Sequence, residues 1–197
     1  MQRRALLAGL LGGSAWLLAS GHTPYEQWVV YRKRTLLIGS VRSDPPTYEL
    51  AERIAEHLAE QLPKSRARLS RAANYQRLAS LLGTAQLEVA VLSRDQAIAM
   101  AKAEPPFTAF EPLALRQLYD MGDYILTSHA DFPARHAYLV SRTLAEEPTP
   151  VTGQIADGAA PDGIPPHPGS IAYARGAPLP APPAEAQPAK HSHDEPD

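Results

Sequence analysis

The chain contains no cysteine. That absence removes disulfides, thiolate nucleophiles and cysteine-ligated zinc or iron–sulfur centres together, and leaves the compartment open. An excess of charge of one sign is also missing. Lys and Arg number 19 against 21 Asp and Glu, a net charge of −2, with a pI near 6.4. Without a basic field, nucleic-acid binding has no electrostatic support. There is no Gly-x-Ser-x-Gly elbow, and Gly39 and Gly83 stand alone where a phosphate-cradling loop needs several glycines. Both absences disfavour the corresponding hydrolases and nucleotide-binding enzymes. No internal repeat and no coiled-coil heptad run is found.

What is there is a middle stretch, Thr35 to Lys102, with three consecutive strand–loop–helix units. The first strand is Leu36 to Val41, apolar and bounded by charge, as for a strand buried on both faces. After Pro45-Pro46, Thr47 is read as the N-cap of a helix from Tyr48 to Leu62, with Glu49 in its first turn. Leu50, Ala51, Ile54, Ala55, Leu58, Ala59 and Leu62 share one face, and Glu52, Arg53, Glu56 and Glu60 the other. Pro63 stops it. The second strand, around Ala67 to Arg71, is polar enough for an edge, and Asn74 caps a helix closed by Gly83. The third strand, Leu87 to Leu92, delivers Ser93 with Gln96 three residues on, a capping-box pattern. Alternation of this kind predicts βαβ crossovers, a parallel sheet and a three-layer α/β fold.

Beyond Pro105-Pro106, Phe107 to Leu113 reads as loop, Leu115 to Tyr119 as a short turn of helix, and Tyr124 to Ser128 as a fourth strand. Asp131 is the expected cap of a helix from Pro133 to Leu144. From 147 to 197 proline, alanine and glycine dominate, a composition that cannot bury enough apolar surface to fold alone. A docked segment is expected at 165–175, and disorder from Ala177 to Asp197. At the other end, Arg3-Arg4 precedes the uncharged apolar run Ala5 to Ser20, with small residues at Ala19-Ser20-Gly21. This is the layout of a secretory signal. Residues 1–22 are therefore read as signal peptide or membrane anchor, with a buried helix as the third option, and 23–34 as a connector.

In parallel sheets, ligands bind outside the carboxyl ends of the strands. The loops after the three strands supply Ser40, Arg42, Ser43 and Tyr48, then Asn74, then Ser93, Arg94 and Asp95. Hydroxyls, an amide and two guanidiniums at helix starts describe a pocket for a small anionic or polar solute better than a reaction centre. The plain alternative is that Ser93, Asn74 and Thr47 are caps and the arginines are solvated. Ser128-His129-Ala130-Asp131 holds triad residue types without triad geometry. His191 and His193 near the end describe a loose metal chelator or a solvated tail.

Three blocks, in order, carry a family likeness. Leu37-Ile38-Gly39-Ser40 is followed by Tyr48; Leu78 to Leu82 leads into Leu87 to Asp95; and Pro165-Pro166-His167-Pro168-Gly169-Ser170-Ile171-Ala172-Tyr173 comes near the end. Together they resemble TAXI-type solute-binding proteins of TRAP transporters over most of Leu36 to Arg175. The resemblance implies an exported lobe of periplasmic binding protein type II kind, without catalysis or cofactor, that binds a solute and meets a membrane permease. It also implies a second lobe between the third unit and the returning strand, which Pro105 to Gly122 is too short to encode. The rival expectation is an envelope interaction module for a membrane or redox partner. That module would present an exposed apolar patch around Phe107, Phe110 and Leu113 to Leu118.

Overall fold

The computed structural model describes residues 35–146, 148–156 and 163–182. All of them lie in one compact unit, Thr35–Asp197. The expectations for 1–34, for 183–197 and for the His191–His193 tract lie outside the described residues. Among those described, no helix is long and apolar enough to cross a membrane.

Strand β1 (Leu37–Val41) leads into helix α1 (Pro45–Gln61), and a short 3-10 turn (Pro63–Ser65) into β2 (Arg68–Ala72). Next come α2 (Tyr75–Gly83), β3 (Val89–Ser93) and α3 (Arg94–Lys102). These are the three units read from the sequence. Helix α1 starts three residues earlier than expected, with Pro45 and Pro46 inside its first turn. Prolines are tolerated there because the missing N–H has no intrahelical partner to lose. The N-cap position belongs to Asp44, not Thr47. Thr47 is instead fully buried, its hydroxyl accepting from the Val41 N–H (3.1 Å) and donating to the Asp44 carbonyl (2.7 Å).

The next two elements, β4 (Leu115–Asp120) and β5 (Tyr124–His129), form a hairpin. The helical turn expected at Leu115–Tyr119 is thus a strand. Its apolar spacing suits either structure, and pairing with β5 decides the outcome. In helix α4 (Ala134–Ala145) the N-cap position belongs to Pro133, with no side-chain capping bond, and the Asp131 side chain is exposed. The sheet order is β2-β1-β3-β5-β4. Strands β1, β2 and β3 are parallel, while β5 runs antiparallel to both of its neighbours. The expected parallel sheet is therefore mixed, with one reversed strand.

Alternation along β3 sends Val89 and Val91 to one face and Ala90 and Leu92 to the other. On the first face, Ile54 and Leu58 of α1 meet Ala137, Val140 and Leu144 of α4 around Ile38, Leu118 and Leu126. His57 Nε2 lies 3.1 Å from the Thr143 carbonyl and links the same two helices. On the second face, Leu78 and Leu82 of α2 and Met100 of α3 pack with Val41, Phe107, Leu115 and Ile125. This makes the three layers. Phe107, Leu115 and Leu118 are buried and Phe110 and Leu113 are partly buried, so most of the apolar patch expected at the surface is core.

The proline-rich tail docks more extensively than composition suggests. Asp120 and Gln154 exchange both backbone hydrogen bonds at 2.8 Å. Gln117 N–H donates to the Pro165 carbonyl (3.0 Å), and the Gln117 carbonyl accepts from His167 N–H (2.8 Å). The outer edge of β4 is covered in this way, which removes an open pairing edge. Helix α5 (Pro168–Ala174) then packs on α4.

His167 anchors that junction. It is 2% exposed, its Nε2–H donates to the Phe132 carbonyl (2.8 Å), and its Nδ1 accepts from Gly169 N–H (3.0 Å). Only the neutral imidazole satisfies both bonds. Burial, helped by the Arg116 charge and opposed by the Phe132 bond, holds its pKa below the ordinary histidine value. Burial and Arg135 act in the same direction on His136. The stability these two histidines contribute is therefore expected to be full above a pH of about 6.5, the ordinary histidine pKa, and to fall below it. The unfolded chain then takes up a proton that the folded site refuses, with a limiting slope of about 1.4 kcal/mol per pH unit for His167. Urea midpoints at pH 7.5 and 5.5 check this; an equal or higher midpoint at 5.5 would refute it.

Candidate functional site

The carboxyl ends of the parallel strands lie side by side, with Val41 opposite Ala72 and the Arg42 N–H bonded to the Ala72 carbonyl. Four elements deliver side chains to that rim. Asp44 sits at the start of α1, Tyr75 is the first residue of α2, Ser93 ends β3, and Tyr124 begins β5 directly opposite Ser93. The Asp44 carboxylate accepts from the Tyr75 hydroxyl at Oδ2 and from the Tyr124 hydroxyl at Oδ1 (3.4 Å). Tyr75 Oη also lies 3.3 Å from Ser93 Oγ. With its own proton given to Asp44, the phenol oxygen accepts from that serine.

Burial and the Asp44 bond push the Tyr75 pKa up to about 12. Burial, then the charge of Asp44 and its bond, raise Tyr124. Both phenols are therefore protonated donors across the physiological range, and the carboxylate between them is the acceptor. A carboxylate has about four lone-pair sites, of which the two tyrosines use two.

Beside this cluster stands a second one. Arg94 Nη2 pairs with Asp120 Oδ1 at 2.6 Å and also donates to the Gly122 carbonyl at 2.8 Å. Burial would raise the Asp120 pKa, but the Gly122 N–H and the Arg94 guanidinium outweigh it and hold the acid ionised below its usual range. The backbone N–H of Arg94 is bonded to the Asp123 carbonyl (2.8 Å). This pair ties the hairpin β4–β5 to the start of α3.

Of the residues expected from the sequence, Ser93 lies in the Asp44 cluster and Arg94 beside it. Ser93 occupies the N-cap position of α3 but makes no capping bond. Its hydroxyl faces Tyr75 instead. Asn74 accepts from Arg77 N–H (2.8 Å) and is a cap. Ser40 is fully buried within the sheet, with Oγ 3.4 Å from the Ser70 carbonyl, so it cannot touch a solute. Tyr48 turns to the β2 side, donating to Glu52 (2.5 Å) under the Arg71 guanidinium, 4.5 Å from its ring centroid. Arg42 and Asp95 are exposed. Asp44, Tyr75 and Tyr124 were missed. Tyr75 reads as an inward apolar position of its helix and Tyr124 as a strand residue. The usable signal was a carboxylate in the loop after the first strand, with tyrosines opening later elements.

Elsewhere, Ser128 and His129 are successive strand residues and point to opposite faces, so the hydroxyl cannot serve that imidazole. Among the described residues, no group of three or more His, Asp or Glu could hold a metal ion.

Fold and rim together define the class: a three-layer α/β protein with a mixed five-stranded sheet and a polar cluster at its carboxyl edge. Comparison with protein-family models and with curated proteins finds no match.

Proposed function

We propose that the chain is an exported lobe of periplasmic binding protein type II kind, similar to a TAXI component of a TRAP transporter. It takes one small polar solute at the rim and works with a membrane permease, with residues 1–22 as signal or anchor. The observation that carries this reading is the convergence of Tyr75 and Tyr124 on the Asp44 carboxylate, with Ser93 bonded to Tyr75, from four separate elements. The mixed sheet, with the reversed strand β5 between β3 and β4, is compatible with such a lobe.

The chemistry selects the solute. Asp44 is an acceptor, and Arg94 is already engaged by Asp120 and Gly122, so a hydroxyl- or ammonium-bearing molecule fits better than a simple anion. Thermal shift against polyols, amines, amino acids and simple carboxylates tests this. At a concentration of about 100 Kd, a true solute stabilises by about 2.7 kcal/mol, a rise in Tm of roughly 5–10 °C for a domain of this size. Asp44→Asn should abolish the rise. No rise across the panel, or an equal rise in Asp44→Asn, would sink the assignment.

A further inference from the structure

The outer surface of α4 and α5 carries a segment that the core does not require. Helix α5 ends in a Schellman motif: Gly176 N–H donates to the Tyr173 carbonyl (2.9 Å) and Ala177 N–H to the Ala172 carbonyl (2.8 Å). Gly176 has φ +66°, the left-handed conformation that glycine adopts freely. The chain after it, Ala177-Pro178-Leu179-Pro180-Ala181-Pro182, bonds to side chains of α4. Tyr138 Oη–H donates to the Ala177 carbonyl (3.1 Å), and Arg135 Nη1–H donates to the Pro180 carbonyl (2.8 Å). Tyr173 of α5 meets Tyr138 edge-on, with ring centroids 5.5 Å apart, which steadies the phenol.

The donors and acceptors pair in opposite chain order, Tyr138 with Ala177 and Arg135 with Pro180. Arg135 and Tyr138 are three apart on a helix, hence on one face. Ala177 and Pro180 are also three apart, and both carbonyls face that side of the helix. Three of the six strap residues are prolines without an N–H, so carbonyls are the main polar groups the strap offers, and both groups that reach it are donors. Fixed proline φ also lowers the entropy lost on docking.

We propose that the α4–α5 face, built from Arg135, Tyr138 and Tyr173, is a docking surface for an extended proline-rich chain. Its resident occupant is Ala177–Pro182 of the same molecule, held in cis. This is independent of the solute site. The test uses the full chain and a fluorescent synthetic peptide with the sequence Ala177 to Pro183, read by anisotropy. The wild-type chain should bind it weakly, because the tethered strap competes at a millimolar-scale effective concentration. The double variant Pro178→Gly, Pro180→Gly loosens the strap and should bind the same peptide about tenfold more tightly. Adding Arg135→Ala or Tyr138→Phe to that background should reverse most of the gain, with melting curves showing the fold retained. Equal binding by the wild-type and loosened chains, no binding by the loosened chain, or indifference to both donor variants would each overturn the proposal.

Discussion

Gly169→Ala is expected to destabilise the protein by about 3 kcal/mol, the upper end of overpacking costs. Built on the present backbone, the new Cβ would fall 2.0 Å from the Ala134 carbonyl oxygen and 2.9 Å from Ala137 Cβ. The first of those atoms is main chain at the start of α4 and cannot rotate aside. Relief requires α5 to move off α4, and three interactions go with it. His167 loses its bond from Gly169 N–H, Ser170 Oγ leaves Ser141 Oγ (2.8 Å), and the Gln117–His167 bridge to β4 is pulled. Thermal unfolding reads the effect as a fall in Tm of roughly 6–12 °C. A fall under about 2 °C would mean the two helices separate at little cost, and that their close approach is incidental.

Phe107→Ala should cost more, about 3–5 kcal/mol. The ring is fully buried in the cluster with Leu82, Met100 and Leu115, and meets Phe110 edge-on at 6.3 Å. Truncation leaves a void under a segment whose backbone is pinned by Phe107 N–H to the Glu104 carbonyl (2.7 Å), so the site cannot easily collapse. The urea midpoint should drop with an unchanged slope. A loss below about 1 kcal/mol would instead fit a phenylalanine lying on the surface. The two variants probe opposite faces of the sheet, so their effects should add.

Strand–helix units one to three were legible because each is written in local periodicity. Ala51, Ile54, Ala55 and Leu58 can share a face only in a helix, and Leu36 to Val41 is too short and too evenly apolar for anything but a buried strand. Caps were legible where the residue has nothing else to reach, as with Asn74. Ser93 had an alternative partner in Tyr75, a residue 18 positions away that enters only when α2 packs beside β3. Thr47 likewise turned inward to Val41 once Asp44 took the cap position.

The candidate site was half legible. Its location followed from parallel strands, but its centre did not. Asp44 gathers Tyr75 and Tyr124 across sequence separations of 31 and 80 residues, and no spacing rule links them.

By itself, then, the sequence determined an α/β chain with three successive crossover units, a carboxyl rim, no thiol chemistry and no basic field, because each depends on composition or short-range period. Tertiary structure alone decided that Leu115–Asp120 is a strand, that β5 runs backwards between β3 and β4, that Phe107 is core, and that the proline-rich tail closes an edge. Those outcomes depend on which surfaces meet, and the energy of pairing or burial belongs to both partners rather than to either segment.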